Sequence, residues 1–364
     1  MLQHPFTFLH DGTIAPWISD LFTFLLAASL ALYLTPLARQ AAIKFGLTSK
    51  PDGNLRHQAE PVPYLGGVAV YLGFLLALVF IFDFEKQVLG LLLGGTIMLL
   101  VGLIDDLGVM TPKMKLFGEA VAVLALLKAG IVIELTFIPS WRIFGLAPVP
   151  VLSYVLSAFW LLALANAFNF LDVEDGLAAG VAFFSSLSLF VVAVINHHAV
   201  IAALTITLAG SLLGFLRYNF RPARIYLGDS GSLFLGLLLG ALAMIGSYTE
   251  KNNVAALAPV ILLGVAGFEL AFTMLARTLR GIPVMWGSPD HVSKRLRRVG
   301  WSVAAVAAIH YAAAALLGGV AIAIMLVDTR TAAIIAGALA LLSLLAAGWL
   351  LRIKVEWRLH AERS

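Results

Sequence analysis

The chain has 364 residues, of which 61% are hydrophobic and 12% charged, with 24 Lys and Arg against 20 Asp and Glu. A mean hydropathy of +0.98 and about half the charge of an ordinary globular domain, which carries about 25% charged residues, leave too little polar surface for a soluble fold. The absence of cysteine excludes disulfides and thiolate metal sites, and the net charge of +4 is small enough that its placement, not its size, is informative.

Apolar stretches long enough to cross a bilayer, about 20 residues each, recur along the whole chain and predict about eleven spans. The first covers 18–38. No Lys or Arg precedes Arg39 and no small-residue cleavage site follows, so this segment is expected to be retained as a span. The next loop carries Lys50-Pro51-Asp52, Arg56-His57 and Pro61-Val62-Pro63 before Gly66-Gly67. Prolines stiffen it, and the glycine pair permits close packing. Spans at 65–84 and 88–104 follow, the latter ending in Asp105-Asp106. Two adjacent carboxylates at a membrane boundary repel each other unless a proton or cation neutralises them. A magnesium site, a general base and a solvated helix end all remain open there. The fourth predicted span, 116–133, begins just after Lys115 and contains Glu119.

The fifth, 151–168, runs into Asn166-Ala-Phe-Asn169-Phe-Leu-Asp172-Val-Glu-Asp175-Gly176, with a polar residue at every third position. Neighbours at i,i+3 adjoin on a helix, so consecutive members can share a ligand. All four drift around the helix, which predicts a helix end near Asp172. Amides and carboxylates of this kind suit magnesium and also hydrogen-bond ribose and uracil. Capping by Asp175 would explain one of the four, not the set.

Spans at 176–195 and 199–217 lead to Tyr226-Leu-Gly228-Asp229-Ser230-Gly231-Ser232 at the head of the eighth, 231–249. Amide N–H groups at a helix start donate to phosphate, and the carboxylate can hold an accompanying metal, while Ser and Asp also serve as ordinary caps. The likeness to a serine-protease nucleophile region is misleading, because the hydropathy supports neither a β-barrel nor a catalytic triad. After the ninth span, 254–275, comes the most basic loop, Trp286 to Arg298. Its His291 and Arg295, spaced i,i+4, can share one helix face and clamp a diphosphate, while Arg297 and Arg298 suit lipid headgroups. Spans at 303–326 and 331–351 complete the chain.

Alternate loops hold all basic residues except Lys86, Lys128, Arg142, Lys251 and Arg330. By the positive-inside rule that face is cytoplasmic, placing the N-terminus outside and the C-terminus inside. The linkers are too short for a second folded domain, so residues 1–364 are expected to form one integral membrane domain. The fold class is all-α and polytopic. A cation-coupled transporter or a lipid-linked sugar flippase is the alternative from another class, but only Glu119 and Glu269 are clear intramembrane carboxylates.

Taken in order, Pro61-Val-Pro63, Asp105-Asp106, Asn166 to Gly176, Gly228-Asp229-Ser230-Gly231-Ser232 and the His291 loop resemble the polyprenyl-phosphate N-acetylhexosamine-1-phosphate transferases. The resemblance covers nearly the whole chain. It implies a UDP-N-acetylhexosamine donor, with GlcNAc as the expected sugar, a polyprenyl phosphate acceptor, magnesium or manganese as cofactor, and release of UMP. It implies the first membrane step of a cell-envelope glycan pathway, at the cytoplasmic face of a bacterial inner membrane. By the same resemblance Asp229 and Asn169 are expected to hold the metal, while Asp105, Asp106 and Lys115 act at the phosphates. Tyr226, Asn166, Asp172 and Asp175 are expected on the nucleoside side, and His291 and Arg295 at the diphosphate or sugar. No nucleic-acid partner is expected, and a homodimer is compatible with the sequence. The chain departs from the family where Ser293 and Lys294 stand at positions often filled by histidine, and where Asp172-Val-Glu-Asp175 replaces Asp-Gly-x-Asp.

Overall fold

The computed structural model describes residues 16–49, 61–79, 86–134, 148–283 and 288–355. Lys50 to His57, Arg142 and Trp286 lie outside the described residues. The helices are α1 (Pro16–Lys44), α2 (Gly66–Val79), α3 (Lys86–Asp106), α4 (Pro112–Lys128), α5 (Pro148–Leu171), α6 (Leu177–Ile195) and α7 (Ala199–Asn219). They continue as α8 (Gly228–Ile245), α9 (Ala258–Leu262), α10 (Gly264–Leu279), α11 (Val292–Arg298), α12 (Val303–Leu326) and α13 (Thr329–Arg352). Two-residue strands β1 (Thr48–Ser49) and β2 (Val62–Pro63) pair antiparallel, Thr48 opposite Pro63. An all-α polytopic architecture is what composition dictates, since only helices satisfy their own backbone in lipid.

Among the described residues eight helices, or nine with one bent pair counted as a span, are long and apolar enough to cross a membrane, fewer than the eleven expected. Each predicted span coincides with a helix, although α2 has only 14 residues within the described part. The ninth departs from a single rod. A 3-10 turn (Asn253–Leu257) with α9 is bent by 75° against α10. Gly264, which follows the bend, lowers the cost of breaking the helix there.

The core is built around α7 and α8, whose membrane windows are 78% and 83% buried, whereas that of α13 is 6% buried and turns Leu341, Leu342, Leu344 and Leu345 outward. Small residues allow the central contacts, as membrane helices require. A Cβ on Gly210 would lie 2.2 Å from Phe24 O and one on Gly214 2.2 Å from Ala28 O, so α7 meets α1 backbone to backbone. The rising numbers on both helices show that α1 and α7 run parallel. Similarly, a Cβ on Gly102 would lie 2.4 Å from the backbone of Asp229, which presses the end of α3 onto the start of α8.

Candidate active site

The polar residues gather at the end of the bundle where α3 and α5 stop and where α4, α6 and α8 begin. Thr111 caps α4 by accepting from Met114 N–H at 3.3 Å, and Pro112 follows at the first turn, where its missing N–H costs nothing. One turn on, Lys115 Nζ lies 2.7 Å from Asp105 Oδ2 and 2.5 Å from Asp229 Oδ2. A single ammonium therefore ties together α3, α4 and α8.

Asp106 has a different task from its neighbour. Its Oδ1 accepts the Asp229 N–H at 2.8 Å and its Oδ2 the Ser230 N–H at 3.1 Å. These amides are the orphan donors of the first turn of α8, so Asp106 caps that helix from the end of another. The preceding Gly228 N–H donates to Asp172. Three successive amides thus point at carboxylates. Gly228 has φ +74°, and a Cβ there would lie 2.6 Å from Asp106 Oδ2, so only glycine fits the cap.

The predicted helix end falls where the spacing placed it, with α5 stopping at Leu171 and Asp172 to Gly176 forming the break. Asn169, on the last turn, donates Nδ2 to Ser232 Oγ at 3.1 Å and also hydrogen-bonds Asp229. Asn166, one turn deeper, donates to Glu119 Oε2 at 2.7 Å and to Leu162 O at 3.0 Å. Burial pushes the Asp172 carboxyl well above the usual carboxylate range, and the charges of Asp229 and Asp106 add to this. Burial also raises Asp175, whose Oδ2 accepts the Ala223 N–H at 3.1 Å while Arg221 pulls the other way. Tyr311 Oη on α12 donates to Gly176 O at 2.7 Å and anchors the break.

Tyr226 is held by its backbone. Its N–H donates to Pro63 O at 2.9 Å and its carbonyl accepts from Gly66 N–H at 3.0 Å. The Tyr226 ring lies 6.1 Å from that of Tyr64, tilted by 48°.

His291 caps the start of α11, with Nδ1 2.9 Å from Glu269 Oε1, which also accepts the Val292 N–H at 3.2 Å. Phe170 meets its ring edge-on at 5.9 Å, which docks this loop on the end of α5 beside Asn169. The spacing placed His291 and Arg295 on one face for a shared anion, but the structure gives Arg295 other partners. Its guanidinium lies 2.8 Å from Asp290 Oδ1 and donates to Leu350 O at 3.1 Å and Ile353 O at 2.6 Å. Arg295 is 3% exposed. The physical reason is that buried Asp290 needs cations and the last carbonyls of α13 need donors. Lys294 Nζ reaches Glu174 Oε1 at 3.0 Å and Val173 O at 3.2 Å.

Several of these partners carried little or no sequence signal. Glu119 and Glu269 are visible in the sequence only as carboxylates within apolar runs, Glu174 only as an unassigned member of the Asp172–Asp175 motif, and Tyr311 not at all. Among the described residues no three His, Asp or Glu side chains converge as a ready metal cage. Magnesium is usually held by one or two carboxylates completed by substrate phosphates and water, and Asp229 is such a carboxylate, with the Asn169 amide beside it able to offer its oxygen once rotated away from its present donor contacts. The donor chemistry therefore fits that ion.

Residues 88–247 match Glycosyl transferase family 4. That stretch contains every candidate residue except His291 and Arg295. The chain is 28% identical over 288 residues to a probable undecaprenyl-phosphate N-acetylglucosaminyl 1-phosphate transferase of Bacillus subtilis, covering 77% of each chain. It is 30% identical over 308 residues to the decaprenyl-phosphate N-acetylglucosaminephosphotransferase of Mycolicibacterium smegmatis, covering 76% of this chain and 75% of that one. It is 33% identical over 247 residues to a phospho-N-acetylmuramoyl-pentapeptide-transferase of Moorella thermoacetica, covering 62% of this chain and 76% of that one.

Proposed function

The chain belongs to glycosyl transferase family 4, and on that premise we propose that it moves N-acetylglucosamine 1-phosphate from a UDP-sugar to a polyprenyl phosphate within the membrane. One integral membrane domain, residues 1–364, carries this activity at the cytoplasmic face of the inner membrane, as an early step in cell-envelope glycan synthesis. The observation that carries the reading is the meeting of Asp105, Lys115, Asn169 and Asp229 from four helices at one end of the bundle.

The reaction is a single in-line displacement. An oxygen of the acceptor phosphate attacks the sugar-bearing β-phosphorus, and the bond from that phosphorus to the bridging oxygen breaks, so UMP leaves with the electron pair. The nucleophile is already an anion, so no proton must be removed, and catalysis is mainly positioning and charge stabilisation. Lys115, oriented by Asp105 and Asp229, meets the transferring phosphate. Asp106 fixes the first turn of α8 and thereby the direction of Asp229. Tyr226, Asp172 and Asp175 receive the nucleoside, with Asn166 supporting Asn169 from the turn below. His291, set by Glu269, faces the diphosphate or sugar, and Arg295 holds its loop in place. Asp229 and Asn169 would hold magnesium, which supplies charge neutralisation at the diphosphate.

No observation favours cation-coupled transport. Glu119 is bonded to Asn166, and Glu269 to His291 and to Thr273 Oγ1 at 3.2 Å, so both carboxylates support the polar end of the bundle. The test is UMP release by purified protein given UDP-N-acetylglucosamine, undecaprenyl phosphate and magnesium. Release that stops with EDTA and in Asp229→Asn is the expected result. Silence with every UDP-N-acetylhexosamine offered overturns the activity, and full turnover by Asp229→Asn overturns the metal assignment.

A further inference from the structure

At the end of α7, Arg217, Arg221 and Arg224 line one open cavity of about 240 Å³ together with Leu216, Phe220 and Pro222. All three arginines are exposed, and among the described residues none forms an ion pair. Arg39 of α1 donates Nε to Arg224 O at 3.0 Å, which adds a fourth cation at the rim and joins the ends of the two parallel helices. Among the described residues the carboxylate seen to act on this group is Asp175, whose field reaches Arg221 while its Oδ2 stays on Ala223 N–H.

Cations crowded without counter-charges repel one another. The carbonyl end of α7 offsets part of this, but a helix terminus carries only about half an elementary charge. Most of the positive charge therefore has no carboxylate partner among the described residues. Guanidinium forks match phosphate oxygens, so the cavity calls for a phosphate. Its surroundings select the kind. Leu213 on α7, Leu32 and Leu37 on α1, and Phe220 at the cavity are all exposed large apolar residues, on helices that span the membrane. A free nucleotide has no use for that apolar flank, whereas a lipid has both a phosphate and chains to lay along it.

We infer that the Arg217, Arg221 and Arg224 cavity binds the phosphate headgroup of an anionic glycerophospholipid, whose acyl chains lie on the exposed faces of α1 and α7. None of its lining residues is among those assigned to the transfer reaction, but Arg221 lies within the field of Asp175, so the test must separate lipid from nucleotide.

The test is native mass spectrometry of protein released from nanodiscs of mixed phosphatidylglycerol and phosphatidylcholine. Wild type is expected to retain phosphatidylglycerol, and the double substitution Arg217→Gln, Arg221→Gln to lose it by about tenfold or more, as two surface cations near anionic lipid predict. Arg217→Lys, Arg221→Lys should retain most binding. Should the double variant unfold, Arg217→Gln alone should lower retention severalfold with an unchanged melting temperature. Equal retention by wild type and a folded glutamine variant overturns the proposal. So does equal uptake of the two lipids, or displacement of the bound lipid by inorganic phosphate or UDP at concentrations comparable to that of the lipid.

Discussion

Adjacent aspartates at the end of α3 illustrate how two identical side chains acquire different work. Asp105 meets an ammonium, whereas Asp106 spends both oxygens on backbone amides of α8. Removing the Asp106 carboxylate leaves those amides orphaned, and a lost cap costs roughly 1–2 kcal/mol. Asp106→Ala should therefore lower the thermal midpoint in detergent and also the activity, because Asp229 begins the turn that Asp106 fixes. Lys115→Met should behave in the opposite sense. It removes the cation between Asp105 and Asp229, and loss of such electrostatic stabilisation typically lowers turnover by about a hundredfold or more. Its effect on the melting temperature should be smaller, since these groups are partly solvated, with side chains 18% to 33% exposed. Equal melting temperatures for Asp106→Ala and wild type would remove the capping role, and near-normal turnover by Lys115→Met would remove the phosphate role.

At the scale of elements, one contact joins two loops that are far apart in the chain. Lys294 on α11 pairs with Glu174 in the break between α5 and α6, and also bonds Val173 O. This contact clips the basic loop onto the α5–α6 loop that is proposed to receive the nucleoside. Reversing either charge should weaken the clip and raise the KM for the UDP-sugar by several fold, with kcat less affected. The double reversal, Lys294→Glu with Glu174→Lys, should recover part of the loss, which steady-state kinetics of the three variants would read. Additive defects in the double variant would mean that the pair is incidental. Such contacts also mark the boundary of what the sequence discloses. Hydropathy locates the apolar helices and the i,i+3 spacing locates the end of α5, because both are local and periodic signals. The pairing of Lys294 with Glu174, or of Arg295 with the last carbonyls of α13, joins residues far apart in the chain, and no periodicity encodes it. Arg295 was read as an anion clamp because its spacing from His291 was visible, while its buried partner Asp290 and the end of α13 were not evident as partners.

For the whole molecule, the arrangement of charge ties architecture to orientation. The transfer residues lie at the ends of α3 and α5 and the starts of α4 and α8, and α12 begins at that same end, just after α11. Lys251 lies at the other end of α12, with Nζ 3.4 Å from Leu326 O. Lys113 and Arg298, exposed beside the site, belong to the basic set of loops, and exposed Lys251 to the other set. Positive-inside bias predicts that the site faces the cytoplasm, where the proposed UDP-sugar donor is made available. The chain contains no cysteine, so single cysteines introduced at Lys113, Lys251 and Arg298 report orientation without a background. A membrane-impermeant maleimide applied to intact cells should label Lys251→Cys alone, and should reach Lys113→Cys and Arg298→Cys only after permeabilisation. Labelling in the reverse pattern would turn the site outward, away from the nucleotide pool, and the proposed donor would then have no route to Asp229.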